Sequence, residues 1–343
     1  MGNGATRNRG GFVNQHTGAA AAMGLRTKAG PWGQALLDAA AERDDIVAVS
    51  ADLKKYTDLT AFATCYPDRY VEVGMAEQNL VMTAAGLARA GLTVVATTFA
   101  AFLARRALDF AIMQIALPRA NVKLIGATPG ISATFGPSHT AIDDLAVWRA
   151  VPNMIVIDPA DPAEAAQALT VALDYDGPVY LRQPFNRASA RRTVEMPPFE
   201  LGKAALLRDG ADVGIIASGD RVGEALIAAD VLAASGVHAA VLRVSTLKPF
   251  DGDAVADLAA RTGRLVTAEN HSVIGGLFSA VAEALALRGV GVPARPVGVP
   301  DVFPPFGSPE YTADILGMSS RHIVEAALVV TGVEGQPKET ARG

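Results

Sequence analysis

The sequence predicts an α/β protein of two doubly wound domains, each with a mostly parallel sheet covered by helices. Three observations carry this. Short apolar runs alternate with helical stretches along most of the chain, the pattern of strands buried on both faces. The 343 residues exceed the roughly 250–300 at which a single core stops growing. Between Gln183 and Pro198 the composition shifts to Arg, Pro and Ser, which reads as a linker between two units. The expected organisation is a tail over residues 1–24, a first domain over 25–185, a linker over 186–204, a second domain over 205–333 and a polar tail over 334–343.

The tail is rich in Gly, Asn and Ala and lacks the apolar core of a signal peptide, although its first six residues fit the short myristoylation pattern. The first helix is expected from Pro31, a residue suited to an initial turn, to Arg43. Ile46 to Ser50 is a short buried strand, Leu59 to Cys65 a helix and Tyr70 to Val73 an extended run. A long Ala/Leu/Gly-rich helix follows from Ala76 to Arg89, then a strand from Thr93 to Thr97 and a helix from Ala100 to Ala116, stopped by Pro118. Val122 to Gly126 is a strand, and Ala127 to Thr140 a loop rich in Gly, Pro, Ser and Thr. The domain closes with a helix from Ile142 to Ala150, a strand from Met154 to Ile157, a helix from Pro162 to Leu173 and a strand from Pro178 to Leu181. In the second domain, strands are expected at Val213 to Ala217, His238 to Arg243 and Arg264 to Ala268. Helices are expected near Arg221 to Ala234, Ala254 to Arg261, Leu277 to Leu287 and Ser320 to Val329.

Composition excludes several classes. A net charge of -5 leaves no basic footprint for nucleic acid. The single cysteine, Cys65, allows no internal disulfide framework and fits a reducing, cytoplasmic compartment. The longest apolar stretch, Leu80 to Phe102, is interrupted by Gly86, Arg89 and Gly91, so it reads as buried helix, turn and strand and not as a membrane span.

In open α/β sheets ligands bind at the carboxyl ends of strands, and several notable side chains are expected there. Glu77 follows the extended run at Tyr70 to Val73; by itself it is also what the positive end of a helix favours. Phe99 and Phe102 follow the next strand, three apart and on one face if a helix starts there, a spacing that core packing also produces. Ser132, Phe135, Ser138 and His139 lie in the Gly/Pro loop, and loops at strand ends carry function disproportionately. Arg182 ends the last strand of the domain, where an ordinary salt bridge is the alternative.

Taken together, these segments resemble the C-terminal half of transketolases. Gly74-Met-Ala-Glu-Gln-Asn79 is similar to the segment that carries the family's glutamate, Thr98-Phe-Ala-Ala-Phe102 to its paired aromatics, and Gly136-Pro-Ser-His139 to its substrate loop. Ser218-Gly-Asp220 and Leu242-Arg-Val-Ser-Thr-Leu-Lys-Pro-Phe250 resemble its C-terminal domain, and the similarity runs in order from about Leu25 to Val330. The resemblance implies thiamine diphosphate. Glu77 would hydrogen-bond the pyrimidine ring as a protonated donor, its pKa raised by burial. Phe99 and Phe102 would pack on that ring, and Asp52 would join them as a cofactor-binding residue. His139 would bond donor-sugar hydroxyls, and Arg182 would hold a terminal phosphate. Glu77 and His139 are the implied catalytic pair.

The Gly-Asp-Gly segment and later Asn, through which the family binds the diphosphate and its Mg²⁺ or Ca²⁺, have no counterpart here; Gly219-Asp220-Arg221 lacks the second Gly. The implied state is therefore half of a split enzyme, with the metal on a separate N-terminal subunit and an α2β2 assembly. Other departures touch the substrate. Phe135 stands where the family usually has Asp, Tyr56 where a phosphate-contacting Ser stands, and Ala29 at about the place of a phosphate-binding Arg. These imply sugars other than the usual pentose phosphates. The β subunit of a 2-oxoacid dehydrogenase, a 1-deoxyxylulose-5-phosphate synthase and an inactive scaffold subunit are the competing readings.

Overall fold

The computed structural model describes residues 29–132, 134–184 and 196–332. The two expected tails and residues 186–195 of the expected linker lie outside the described residues.

A fully buried strand, β1 (Ile46–Ser50), starts the first sheet, with every side chain inside as its apolar composition requires. Around it stand β2 (Tyr70–Glu72), β3 (Thr93–Phe99), β4 (Val122–Ala127), β5 (Ile155–Ile157) and β6 (Val179–Gln183), all parallel. The spatial order β5-β6-β4-β3-β1-β2 places a topological switch point between β1 and β3, where the chain turns from one side of the sheet to the other. The second sheet is built from β7 (Ala205–Arg208), β8 (Val213–Ala217), β9 (Ala239–Arg243), β11 (Leu265–Ser272) and β12 (Ala294–Val299), in the order β12-β11-β8-β9-β7. Only β7 runs antiparallel in it, against β9.

One strand crosses between the units. Thr246–Lys248 (β10) follows β9 in sequence yet pairs antiparallel with β5, at the edge of the first sheet. Asp158 N–H also donates to Ser245 O at 2.8 Å, and Gly219 N–H to Asp158 O at 3.2 Å. A single apolar core cluster accordingly contains Val49, Leu80 and Trp148 beside Ile216, Leu265 and Val281.

Several expected elements shift. The helix expected from Ala100 to Ala116 is interrupted: Ala100–Arg106, then Leu108–Ala111, then a π-helical turn at Ile112–Ala116. The helix expected from Ile142 starts at Asp144, because Ala141 bonds back to Gly130 across the neck of the preceding loop. β3 extends two residues past Thr97, so Phe99 ends a strand and caps the helix after it. β7, β10, β12 and the helix Pro309–Ile315 are additions to the elements that the apolar pattern predicts. No helix among the described residues is long and apolar enough to cross a membrane.

Candidate active site

The carboxyl ends of β1 to β4 and β6 converge at the switch point. Glu72, the last residue of β2, ties two of these ends together. It accepts hydrogen bonds from the Asp52 N–H at 2.6 Å, the Gly74 N–H at 3.0 Å and the Tyr70 hydroxyl at 2.6 Å. Gly74 turns the chain with φ +72°, a left-handed conformation glycine adopts without strain, and the Ala76 N–H closes on its carbonyl at 2.7 Å. Glu77 is thereby delivered to the first turn of the helix Glu77–Arg89, where the dipole complements a carboxylate. Its side chain is 5% exposed. Asp52, one residue past the fully buried Ala51, is exposed and held at φ +59°.

The partner of Glu77 is Arg106, at the end of the helix Ala100–Arg106. Its Nη1 lies 3.2 Å from Oε1 and 3.4 Å from Oε2. The same guanidinium stacks on Phe102, with Cζ 3.8 Å from the ring centroid. Phe102 in turn meets Phe99 at 5.8 Å and the His139 ring edge-on at 5.0 Å. Phe99 lies 5.8 Å from His139, 6.0 Å from Phe135 and 6.0 Å from Tyr56. Phe135 and Tyr56, both 46% exposed, form the outer wall of this aromatic cleft.

His139 ends a short turn, Pro137–His139, and its Nδ1 pairs with the Ser138 hydroxyl at 2.9 Å. Burial, then the nearby Arg106 charge, hold the imidazole below its ordinary range, so it is neutral at pH 7. The loop that carries it is pinned at its neck. The Ile131 N–H donates to Asn270 Oδ1 at 3.0 Å, and Gly130, at φ +60°, leaves no room for a Cβ against the same side chain.

The structure thus links Glu77, Phe99, Phe102 and His139 into one cluster through Arg106 and ring contacts, with Asp52 just past the end of β1. It does not add Arg182, the expected phosphate clamp, to that set. Arg182 is 1% exposed inside β6. Its Nε donates to Asp144 Oδ2 at 2.8 Å and its Nη2 to Asp144 Oδ1, while Nη1 lies 3.4 Å from Asp158. Burial, the largest influence, pushes Asp144 up, but the Arg182 charge together with the hydrogen bonds from Arg182 and Tyr180 holds the carboxyl below its ordinary range. Two carboxylates already fill the guanidinium fork that a phosphate would need. Sequence reasoning missed Arg106. The available signal was its position four residues after Phe102, on the same helical face.

The planar Arg106 guanidinium thus lies between Glu77 and the face of Phe102. Residues 30–188 match the transketolase pyrimidine-binding domain and residues 202–323 the transketolase C-terminal domain. A transketolase family protein of Sinorhizobium fredii is 46% identical over 303 residues, which cover 87% of each chain. The 6-deoxy-6-sulfo-D-fructose transketolase subunit SqwH of a Clostridium species is 44% identical over 297 residues, 86% of this chain and 92% of that one. The solved structure of a split-gene transketolase, an inactive β4 tetramer, superposes with a TM-score of 0.81 at 39% identity and covers 89% of this chain and 98% of its own. Synthases of 1-deoxy-D-xylulose-5-phosphate also match, and the chain spans about half their length. With both domains matched in order and relatives this similar along nearly their whole length, the chain belongs to the transketolase family.

Proposed function

We propose that this chain is the pyrimidine-binding and C-terminal subunit of a two-subunit, thiamine-diphosphate-dependent transketolase. It would move a two-carbon ketol unit from a ketose to an aldose. The observation that carries this reading is Glu77, buried at a helix start and bonded to a planar group that stacks on Phe102.

When bound, the cofactor supplies a carbon nucleophile for the ketose carbonyl. Side chains of this chain bind it, orient it and handle protons. Glu77 would hold a proton toward a ring nitrogen of the cofactor, in the place that Arg106 now fills. Phe99 and Phe102 wall the ring, an aromatic contact worth about 0.5–1.5 kcal/mol beyond area burial. His139, kept neutral, bonds a hydroxyl of the donor sugar. Asp52, exposed just past β1, would join Phe99 and Phe102 as a cofactor-binding residue. The diphosphate and its Mg²⁺ or Ca²⁺ would be held by a separate N-terminal subunit in an α2β2 assembly. The relative described as an inactive tetramer of β chains supports the need for that second chain.

The test is reconstitution. The purified chain is mixed with a chain carrying the Gly-Asp-Gly…Asn motif, thiamine diphosphate and Mg²⁺, and ketol transfer is followed in the mixture and in each chain alone. Turnover is expected only in the mixture, and Glu77→Gln should lower kcat there by roughly 10²–10⁴-fold. Turnover by the isolated chain, or full turnover with Glu77→Gln, overturns the reading. Release of CO₂ from pyruvate with no ketol transfer would instead favour a synthase, the activity named for the half-matched relatives.

A further inference from the structure

A cavity of about 350 Å³ lies between the two units, a size that takes a whole small ligand. The first unit supplies Asp158, Arg182 and the start of the His139 loop, Pro129 and Ser132; the second supplies Asp220, Arg221 and Asn270. Five prolines and two alanines give it an apolar wall. Asp158, just past β5, is 2% exposed. Its Oδ2 accepts from the Ser218 hydroxyl at 3.0 Å and from Arg182 Nη1 at 3.4 Å. Oδ1 has no donor among the described residues, and it is not one of the atoms enclosed without a partner, so an occupant of the cavity reaches it. Buried polar groups are nearly always satisfied, and a bare, reachable oxygen on a buried side chain marks a site whose donor comes from outside.

Charge decides what that donor is. Arg221 is paired side-on with Asp220, Nε to Oδ1 and Nη2 to Oδ2, each at 3.0 Å. All five N–H groups of Arg182 are taken, by Asp144, Asp158 and the carbonyls of Ala141 and Asn270. An anion therefore finds no guanidinium to itself, whereas Asp158 shares its one guanidinium with Asp144. Burial, the largest influence, pushes the Asp158 carboxyl up to about 6; Arg182 pulls it down, and Asp220 and Asp144 push it up. A carboxylate so short of positive charge calls for a cation. A metal ion does not fit, because no group of three His, Cys, Asp or Glu side chains among the described residues could hold one. A guanidinium seeks two free oxygens, and Asp158 offers one. An ammonium on an apolar body answers both the bare oxygen and the proline wall. Such an occupant would also touch the neck of the His139 loop. Asn270, in the same wall, accepts from the Ile131 N–H at 3.0 Å, between Pro129 and Ser132 in sequence. A ligand that contacts this arrangement favours it over others.

We propose that this cavity binds a small organic ammonium ion, which steadies the neck of the His139 loop; the site stands whether or not the chain performs ketol transfer. The test uses the purified full chain and three probes of one shape: benzylammonium, benzyl alcohol and benzoate. In calorimetric titration at neutral pH, benzylammonium should bind at least about tenfold more tightly than either of the others. Asp158→Asn removes the charge and keeps the shape, and should weaken benzylammonium by about tenfold to a hundredfold. Glu77→Gln should leave that affinity unchanged, which separates this cavity from the aromatic cleft. Hydrogen exchange of the Ile131 and Ala141 amides should slow with benzylammonium and not with benzyl alcohol. Should Asp158→Asn fail to fold, the three probes on the unaltered chain and the Glu77→Gln comparison still decide. No binding of benzylammonium, equal affinity for the alcohol, or binding lost in Glu77→Gln overturns the site. Binding with unchanged exchange at the two amides overturns its hold on the loop.

Discussion

At the scale of single residues, the cleft is organised by charge as much as by shape. Arg106 touches Glu77 through its N–H groups, Phe102 through its face and His139 through its field. Burial lowers the His139 pKa first and Arg106 lowers it further. Arg106→Met removes a positive neighbour and leaves the Glu77 carboxylate unpaired nearby; both changes favour the imidazolium. The His139 titration midpoint, followed by NMR, should therefore rise relative to wild type; an unmoved or lowered midpoint would show that the two side chains do not interact. Glu77, Phe99, Phe102 and His139 were legible in the sequence because each sits in a short segment of distinctive composition. Arg106 was not, since its partner Glu77 is 29 residues away and is brought close only by the packing of two helices. Tyr56 was visible only as a departure from a family pattern, and the cleft gives it a role as a wall.

Among elements, the sequence was informative where apolar periodicity decides the structure and silent where pairing decides it. The buried strands β1, β4 and β8 were readable as apolar runs. β10 and β12 were not, because three residues or a Pro-containing run carry too little pattern. Arg182 shows the same limit: at a strand end, phosphate clamp and core ion pair look alike until Asp144, 38 residues distant, is placed beside it. The geometry predicts a structural outcome for its removal. Arg182→Met leaves Asp144 and Asp158 buried without their cation, which should destabilise the chain by about 3–5 kcal/mol in denaturant unfolding. Adding Asp144→Leu should recover much of that loss, because replacing both partners of a buried pair by apolar groups is often neutral. A single variant as stable as wild type, with a raised KM for phosphorylated sugars alone, would restore the clamp.

For the whole molecule, the sequence suggested two domains joined by a linker, and the structure couples the two units tightly. The edge strand β10 belongs to the second unit in sequence and to the first sheet in space. Lys248, its last residue, donates from Nζ to the carbonyls of Arg149 at 3.1 Å and Val151 at 2.5 Å. Arg149 reaches back to the Gly275 carbonyl at 2.6 Å, and Arg182 Nη1 to the Asn270 carbonyl at 3.2 Å. Separating the units would expose the free edge of β5, open one continuous apolar core and break these bonds of the half-buried Lys248 and Arg149 and the buried Arg182. Two-unit chains with small, polar interfaces unfold in steps; here a shared apolar core and a shared sheet join the units. Calorimetry should therefore show one cooperative transition, with equal van't Hoff and calorimetric enthalpies. A fragment ending at Pro184 should aggregate or remain partly unfolded on its own. Two resolved transitions, or a monomeric, cooperatively folded fragment, would show that β10 and the shared core are dispensable to the first sheet.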